Sequence, residues 1–255
     1  MIKEDIRYED GSVFEGMTSV SAVINSTNSD RKILKLYYDG ERERKLSRAL
    51  SYLRRRAGEQ GFEIIKTNAE ELDKMTVGSS HGGIAALCAG RTIPALSSGD
   101  IVENGFYVYI EGIEDPYNFG YALRSLYAAG AEAVILPERN WMSAAGVVCR
   151  SSAGASELMK LYTRPDGLAD VFRSKGYKIF AADTENASSV YDTELRLPLL
   201  LIVGGEKRGI TKAMLQSADG IIKIDYGRDF PAALSAASAA AVLGFEIMRQ
   251  NRKMK

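Results

Sequence analysis

Three residues of useful chemical type stand at fixed spacing in the stretch DPYNFGYALRSLYAAG: Asn118, Gly120 and Arg124. An asparagine side chain both donates and accepts hydrogen bonds, and an arginine is a permanent cation that suits phosphate or hydroxyl positioning. They follow the β-rich run 106–111, and a helix is predicted from about Asn118. Because ligands of open α/β sheets bind where the strands end, we predict that the three residues gather at that edge.

The elements around these residues form a βαβ unit. Leu123, Leu126 and Tyr127 have the spacing of an inward-facing helical surface, and Gly130 stands where a helix ends in a left-handed residue. A second strand is predicted over 133–136, closed by Pro137. This order of strand, loop, helix and strand is typical of a parallel sheet.

Further polar residues follow other predicted strands. Asp183 and Thr184 come after a strand over 178–182, and Gly204-Gly205-Glu206 follows the continuous apolar strand 199–203. Glycines in such loops permit close backbone approach to a flat or narrow ligand. Glu206 and Arg124 supply opposite charges at this edge. Their chemistry fits a structural ion pair as well as a catalytic one.

Several common kinds of site are missing from the sequence. No GxGxxG follows the strand 106–111, and no GxxxxGK[ST], nucleophile elbow or HExxH motif occurs. One histidine and two cysteines, without a Cys/His cluster, favour a protein that holds no soft metal. A ligand at the predicted edge would therefore be held by glycine loops and a few polar side chains.

Composition limits the class of protein. The chain has 255 residues, 45% of them hydrophobic, and equal numbers of basic and acidic residues, 33 each. Attraction to nucleic acid must therefore come from local patches rather than from net charge. No apolar run approaches the roughly 20 residues that span a bilayer, so we expect no membrane partner. The opening sequence and the two distant cysteines favour a reduced, cytoplasmic protein.

Two domains are expected. Residues 1–95 are predicted to form a small α/β domain, residues 96–104 a linker rich in small and polar residues, and residues 105–255 the larger domain. Alternating strands and helices in the larger domain favour a parallel sheet with helices on both faces. Pro231 is predicted to begin the last helix. A short linker would keep the domains close while leaving them some relative freedom.

The clearest amphipathic segment is a helix predicted over 41–60. Its apolar face carries Leu46, Leu50, Leu53 and Ala57, and its opposite face carries a basic stripe of Arg44, Arg48 and Arg55. Two interpretations of the stripe remain open: a solvated helix face, or a surface that contacts RNA phosphates.

The single histidine, His81, lies beside Gly82 and Gly83 before a predicted strand. A lone histidine in a glycine turn favours a structural role over a catalytic one. The sequence offers no evident carboxylate partner to orient its ring.

The order and spelling of the loops resemble the SpoU/TrmH family of RNA ribose 2′-O-methyltransferases. Asn118, Gly120 and Arg124 match the family's first signature, Asn-x-Gly-x-x-x-Arg, and IVGGEKRGI matches its second. CRSSAGAS at 149–156 is similar to the stretch between them, and residues 1–95 are similar to the family's small substrate-binding domain. The resemblance thus extends over nearly the whole chain.

This resemblance implies a fold and an activity. The family's C-terminal domain forms a deep trefoil knot, binds S-adenosylmethionine and pairs as a homodimer. Its members transfer a methyl group to a ribose 2′-hydroxyl of structured RNA, ribosomal or transfer, without a metal ion. Periodicity alone would not predict a knot, because true knots are nearly absent from proteins.

The resemblance also implies roles for single residues. It assigns catalytic or positioning roles to Asn118, Arg124, Glu206 and Ser235. It assigns cofactor contacts, largely through backbone groups and apolar contact with adenine, to a second set: Asp183, Thr184, Val203, Gly204, Gly205, Ile224 and Leu234. Because arginine normally stays protonated, Arg124 is expected to position a phosphate or hydroxyl rather than to act as a base.

The third signature departs from the family pattern. The family has Pro-Met-x-Gly and then Ser-Leu-Asn, whereas this chain reads IDYGRDFPAALSAAS, with Ser235 in place of the asparagine. A serine offers one hydroxyl where asparagine offers a carbonyl and two N–H donors. An RNA-binding member of the family with reduced or lost activity is therefore the alternative hypothesis. An unrelated α/β enzyme acting on a small molecule is a third.

Overall fold

The computed structural model of the chain describes residues 11–137, 144–205 and 207–252. The described strands, in chain order, are β1 (Ser12–Glu15), β2 (Ile33–Asp39), β3 (Glu63–Thr67), β4 (Ile84–Cys88), β5 (Phe106–Ile110), β6 (Ala133–Leu136), β7 (Lys160–Thr163), β8 (Lys178–Ala182), β9 (Ser188–Ser189), β10 (Leu199–Val203) and β11 (Gly220–Lys223). The described helices are α1 (Gly16–Asn25), α2 (Ser47–Gln60), α3 (Ala69–Met75), α4 (Pro116–Ala128), α5 (Ala145–Ser151), α6 (Ala155–Leu158), α7 (Leu168–Arg173), α8 (Lys212–Gln216) and α9 (Ala236–Asn251).

The described residues form two compact units. The first comprises residues 11–92 and 144–158, and the second comprises residues 93–137, 159–205 and 207–252. The predicted boundary near residue 95 falls close to the division after Thr92. Residues 144–158, which the sequence placed in the larger domain, pack in the first unit.

The first unit is built on a four-stranded mixed sheet in the order β1-β4-β2-β3. Only β2 and β3 pair in parallel; the other neighbours are antiparallel. Phe14, Leu36, Leu50 and Leu53 are fully buried in its core. The apolar face predicted for residues 46–57 is therefore confirmed, although the α-helix itself begins at Ser47.

Helix α5 packs on β1 in this unit. A Cβ at Gly146 would lie only 1.9 Å from the carbonyl oxygen of Val13, so this approach requires a glycine. In the same unit, a buried ion pair joins Arg31 Nε to Glu157 Oε2 at 3.1 Å. Sequence periodicity carries no sign of this packing, because both contacts join residues more than 120 positions apart.

The second unit contains a seven-stranded sheet in the order β7-β6-β5-β10-β8-β11-β9. Every pairing in it is parallel, which confirms the predicted parallel sheet. Tyr107 and Leu200 point into a core cluster that includes Phe172 of α7 and partly buried residues of α8. Helices α4 and α9 pack against each other, and α9 contacts β10.

The segment predicted as a linker, 96–104, is packed on the second unit. Leu96 N donates to the carbonyl of Thr163, the last residue of β7, and Leu96 and Ile101 are buried. Tyr107 Oη donates to the carbonyl of Asp100 at 2.9 Å. The polar composition of this stretch did not reveal these two apolar anchors, which make residues 96–101 part of the packed second unit.

Two helix predictions need correction. The last helix begins at Ala236 rather than at Pro231, because the Ser235 side chain caps it and residues 231–234 are exposed. Tyr127 is 44% exposed, whereas Leu123 and Leu126 are fully buried, so the buried stripe of α4 excludes Tyr127.

His81 has a carboxylate partner that the sequence did not reveal. Its Nε2 lies 3.1 Å from Asp73 Oδ1, and its Nδ1 accepts a hydrogen bond from Gly83 N at 3.0 Å. The ring is buried and holds the turn before β4. This geometry agrees with a structural role.

In the part of the chain that the structure describes, no helix combines the length and the apolar character needed to cross a membrane.

Candidate active site at the carboxyl edge of the parallel sheet

Four neighbouring strands of the second unit end at one edge of the sheet. Val203, the last residue of β10, stands opposite Ile110 of β5 and Ala182 of β8, and Ile222 of β11 pairs with Ala182. The loops that follow these strands carry the residues singled out in the sequence. Parallel register is therefore what brings these separated loops to one edge.

The loops after β5 and β10 are tied together by hydrogen bonds. Glu111 accepts two of them from Thr211, one from the backbone N at 2.8 Å and one from Oγ1 at 2.9 Å. Lys207 Nζ and Glu114 Oε2 form an exposed ion pair at 2.8 Å. The sequence analysis included Glu111 in the β-rich run 106–111 and gave it no role; its position at the end of that run was the available signal.

The glycines of the second loop permit a close backbone approach. A Cβ at Gly205 would lie 2.1 Å from the carbonyl oxygen of Gly112, and one at Gly204 would lie 2.5 Å from the carbonyl carbon of Gly209. Gly209 has a φ of +61°, in the region that favours glycine. Gly205 therefore lies directly on the loop after β5, and a residue with a side chain would not fit at this contact.

Helix α4 presents the residues of the first signature. Asp115 caps its start by accepting from Asn118 N at 2.8 Å, and Pro116 occupies the first turn. Asn118 is half-buried and Arg124 is exposed. A helix turns about 100° per residue, so Asn118 and Arg124 point roughly 120° apart and lie about 9 Å apart along the axis. By the same count Gly120 lies about 160° from Asn118 and about 40° from Arg124, so the three signature residues share helix α4 but not one face of it.

Glu206, the acidic residue of the second signature, lies outside the described residues. The expectation that it orients Arg124 or Asn118 therefore stays a prediction.

The loop after β8 forms a tight polar turn. Asp183 Oδ1 accepts from Thr184 N at 2.6 Å and from Glu185 N at 3.3 Å. Asp183 is half-buried and Thr184 is exposed. Both predicted cofactor residues thus stand at the edge defined by Val203, with Thr184 open to solvent.

The loop after β11 completes the edge. Ile224 is half-buried, and Leu234 is 36% exposed, with its backbone N donating to Tyr226 Oη at 3.0 Å. Ser235 Oγ accepts from Ser238 N at 3.2 Å and lies 3.0 Å from Ser238 Oγ. The hydroxyl that replaces the family's asparagine therefore holds the start of α9.

Tyr109 of β5 lies one residue from the loop. Burial raises the pKa of its phenol to about 12, with the neighbouring charge of Glu111 adding to the effect. The phenol is therefore neutral at physiological pH, and Tyr109 is unsuited to act as a general base there.

The basic stripe belongs to the first unit. Arg44, Arg48 and Arg55 are all exposed, and none of them forms an ion pair with another described residue. Arg55 stacks over Tyr52, with its guanidinium carbon 5.8 Å from the ring centre. By contrast, the neighbouring Arg54 pairs with Glu43 at 3.1 Å.

An all-parallel sheet whose glycine loops converge at one edge defines the second unit as an α/β ligand-binding domain. The chain belongs to the SpoU rRNA Methylase family, whose sequence profile matches residues 105–245. Residues 14–94 match the profile for RNA 2′-O ribose methyltransferase substrate binding. The resemblance inferred from the signatures is therefore confirmed.

Relatives and solved structures agree with this family. The chain is 30% identical to the 23S rRNA (guanosine-2′-O-)-methyltransferase RlmB of Photobacterium profundum, over 75% of this chain and 80% of that protein. It is 27% identical to RlmB of Shewanella oneidensis, over 99% of this chain and 100% of that protein.

The fold is shared with an RNA 2′-O ribose methyltransferase, with a TM-score of 0.74, 22% identity and coverage of 94% of this chain and 88% of the other. It is also shared with the SpoU methyltransferase AviRb of Streptomyces viridochromogenes in complex with AdoMet, with a TM-score of 0.73, 21% identity and coverage of 95% and 91%. These likenesses establish the α/β fold with its parallel sheet.

Membership of this family makes the chain an RNA ribose 2′-O-methyltransferase that uses S-adenosylmethionine. Of the three hypotheses drawn from the sequence, the methyltransferase is thus favoured over a binding-only relative and over an unrelated small-molecule enzyme.

Proposed function

We propose that this enzyme methylates ribosomal RNA, and that the reaction takes place at the edge where β5, β10, β8 and β11 end. The observation that carries the assignment is the register of Val203 with Ile110 and Ala182, which brings the signature loops to one place. Relatives named as 23S rRNA methyltransferases support ribosomal over transfer RNA. An RNA substrate of this kind supports a cytoplasmic location.

We assign the cofactor to the loops around Val203. The side chains and backbone present there fit S-adenosylmethionine. Gly204 follows the apolar end of β10 without a side chain, Gly205 is held by its backbone hydrogen bonds to Gly209, and the half-buried Ile224 and the partly exposed Leu234 offer apolar surface to an adenine ring. Asp183 and Thr184 add polar groups at the same edge.

S-adenosylmethionine, when bound, supplies an electrophilic methyl group, so the protein has to align a ribose 2′-hydroxyl with it and help the proton leave. Asn118 is assigned to hold the ribose, because its amide both donates and accepts. Arg124 is assigned to a phosphate or the attacking hydroxyl, since its exposed guanidinium has no ion-pair partner among the described residues. Ser235 is assigned a positioning role, through the cap that fixes α9.

The first unit is assigned to RNA binding, with the basic stripe of Arg44, Arg48 and Arg55 as the phosphate contact. Exposed cations without carboxylate partners can neutralise RNA phosphates and displace the counter-ions condensed on the RNA. Arg54, already neutralised by Glu43, is left out of this surface.

Labelled methyl transfer from S-adenosylmethionine to total ribosomal and transfer RNA tests the assignment. We expect incorporation into ribosomal RNA with wild-type protein, a large loss with Arg124→Ala, and no change with Arg54→Ala. Equal background incorporation by wild type and Arg124→Ala would favour the binding-only alternative. Full activity of Arg124→Ala would remove this residue from the mechanism. Mapping 2′-O-methyl sites in cells with and without the protein would identify the nucleotide.

We further propose that the protein is a homodimer that pairs through the second unit. Helices α4 and α9 carry exposed aromatic side chains, Tyr121 at 49% and Phe245 at 42% exposure. Such rings are typical of surfaces that a second subunit covers. Phe245→Glu is expected to yield monomers in light scattering, whereas Tyr191→Glu, at another exposed tyrosine, is not. A dimer that persists in Phe245→Glu would move the interface elsewhere.

We also propose that the second unit contains the family's deep trefoil knot. The position of β10 between β5 and β8 in the sheet supports the knot. Hydrogen bonds between the end of α9 and the segment before β10 support it as well. Asn251 Nδ2 donates to Leu195 O at 2.7 Å, and Leu197 N donates to Asn251 Oδ1 at 3.1 Å. A crystal structure that traces the backbone from residue 199 to residue 252 would test this. An unthreaded path would contradict it.

A further inference from the structure

The loop between β11 and α9 lines a cavity of about 430 Å³ that is broadly open to solvent. Its lining comes entirely from this loop: Asp225, Tyr226, Gly227, Arg228, Phe230 and Leu234. Ligand pockets in proteins begin at about 300 Å³, so the space suits a small planar group. Of the residues assigned to the cofactor, only Leu234 lines this cavity.

Two aromatic rings in the cavity offer uncovered faces. Phe230 is 57% exposed, the highest value among the large hydrophobic side chains in the described ranges, and Tyr226 is 40% exposed. Their ring centres lie 6.2 Å apart at an interplanar angle of 49°, so the rings do not cover each other by stacking. An exposed aromatic pair of this kind is suited to stack a flat ligand.

The position of Tyr226 is fixed before any ligand arrives. Its hydroxyl accepts a hydrogen bond from Leu234 N at 3.0 Å, which closes the loop across eight residues. Ser235, the next residue, caps the 16-residue helix α9. The hydrogen bond therefore ties the tyrosine ring to the residue before this helix cap, which reduces the entropic cost of stacking a ligand.

The cavity also carries polar groups that suit the edge of a nucleobase. Arg228 is exposed and forms neither a hydrogen bond nor an ion pair with any described residue. Asp225 is exposed on the same lining. A guanidinium and a carboxylate together match the acceptors and donors along a base edge. Their opposite charges make the cavity a poor site for phosphate alone.

We propose that this cavity binds an unpaired nucleobase of the substrate RNA, stacked on Phe230 and Tyr226 and contacted at its edge by Arg228. The proposal rests on the assignment of the neighbouring loops to methyl transfer. Leu234 borders both the cavity and the surface assigned to the cofactor, so a base held here belongs to a nucleotide at or next to the methylated ribose. Stacking on aromatic side chains is how proteins commonly hold single-stranded bases.

The test compares two five-nucleotide RNAs in the presence of saturating S-adenosylhomocysteine. One has four adenosines around a central 2-aminopurine nucleotide, and the other has four adenosines around a central ribose without a base. Stacking contributes enough that wild type is expected to bind the complete RNA about tenfold more tightly, with quenched 2-aminopurine fluorescence. Phe230→Ala and Phe230→Leu remove that difference, whereas Phe230→Tyr keeps it.

The proposal would be overturned if the wild-type protein bound both RNAs equally, or if Phe230→Ala kept the tenfold difference in affinity. A change in the oligomeric state of Phe230→Ala in light scattering would also overturn it. A fall in S-adenosylhomocysteine affinity in Phe230→Ala, measured by calorimetry, would overturn it too, because the cavity would then hold the adenine of the cofactor. Failure of wild type to bind S-adenosylhomocysteine would instead refute the proposed function, while the comparison of the two RNAs without cofactor still tests the cavity.

Discussion

Glu111 and Thr211, one hundred positions apart, are joined by two hydrogen bonds, from Thr211 N at 2.8 Å and from its Oγ1 at 2.9 Å. Thr211 also caps helix α8 by accepting from Met214 N. One carboxylate thus ties Thr211, which lies beyond the proposed cofactor loop, to the residue that follows β5.

Glu111→Ala is expected to weaken binding of S-adenosylhomocysteine about tenfold, because two hydrogen bonds to a charged group are lost. Glu111→Gln, which keeps one acceptor, is expected to lose less. Glu114→Gln is the control, since it removes only the exposed contact with Lys207. Calorimetry measures the three affinities, and an equal loss in Glu111→Ala and Glu114→Gln would contradict this role.

Gly205→Ala is expected to abolish cofactor binding while leaving the first unit folded. A Cβ there would lie 2.1 Å from backbone oxygen of Gly112, and backbone cannot yield as a flexible side chain does. Gly58→Ala is a matched control in helix α2, with no atom within 4 Å of the added carbon. We expect that control to raise stability by about 0.5–1 kcal/mol. Calorimetry and thermal melting separate the two effects, and normal binding by Gly205→Ala would refute the loop contact.

The basic stripe and its paired neighbour predict different salt dependence. Arg48→Gln is expected to weaken RNA binding and to lower the slope of log affinity against log salt by about 0.7 to 0.9. Arg54→Gln, on the same helix but already paired with Glu43, is expected to leave the slope unchanged. Filter binding to ribosomal RNA fragments at several salt concentrations gives both slopes. Equal slopes for the two variants would favour the solvated-face interpretation.

The buried pair Arg31–Glu157 predicts a large stability effect. Both side chains are at most 3% exposed, and Glu157 Oε2 also accepts from Ser29 Oγ at 3.0 Å. Glu157→Ala leaves a buried cation without its partner, so we expect a loss of about 3–5 kcal/mol in the free energy of unfolding. Denaturant titration measures it, with Glu194→Ala, half of an exposed pair, as the control. A loss below that of the control would contradict the burial.

The two cysteines, both buried, are expected to resist thiol reagents. Burial raises the pKa of the Cys149 thiol to about 12 and raises that of Cys88 above its ordinary value as well. These thiols ionise more readily in the unfolded chain than in the folded protein. Their contribution to the free energy of unfolding is therefore fully present below about pH 9 and is lost as the pH rises toward 12. Labelling with a thiol reagent in native and denaturing buffers tests this. Rapid labelling of native protein at pH 8 would contradict it.

The sequence by itself determined most of the elements of the second unit. The alternation of apolar runs and glycine turns predicted β5, β6, β8 and β10 closely, because strands buried on both faces of a parallel sheet are continuously apolar. The spelling of two loops was enough to indicate the family. The predicted start of the last helix was wrong, because two local signals competed there. Pro231 is typical of a first helical residue, but the helix begins after Ser235, whose side chain caps it.

Other features were decided only by tertiary structure. Residues 144–158 carry a family motif, yet they pack on β1 because Gly146 fits against Val13. His81 contacts the carboxylate of Asp73, and Glu111 accepts hydrogen bonds from Thr211, a hundred residues away. Such contacts depend on strand register and on distances in space, which neither helical nor strand periodicity records. The sequence therefore determined which chemical groups the site has, and the parallel register of β5, β10 and β8 determined that they meet.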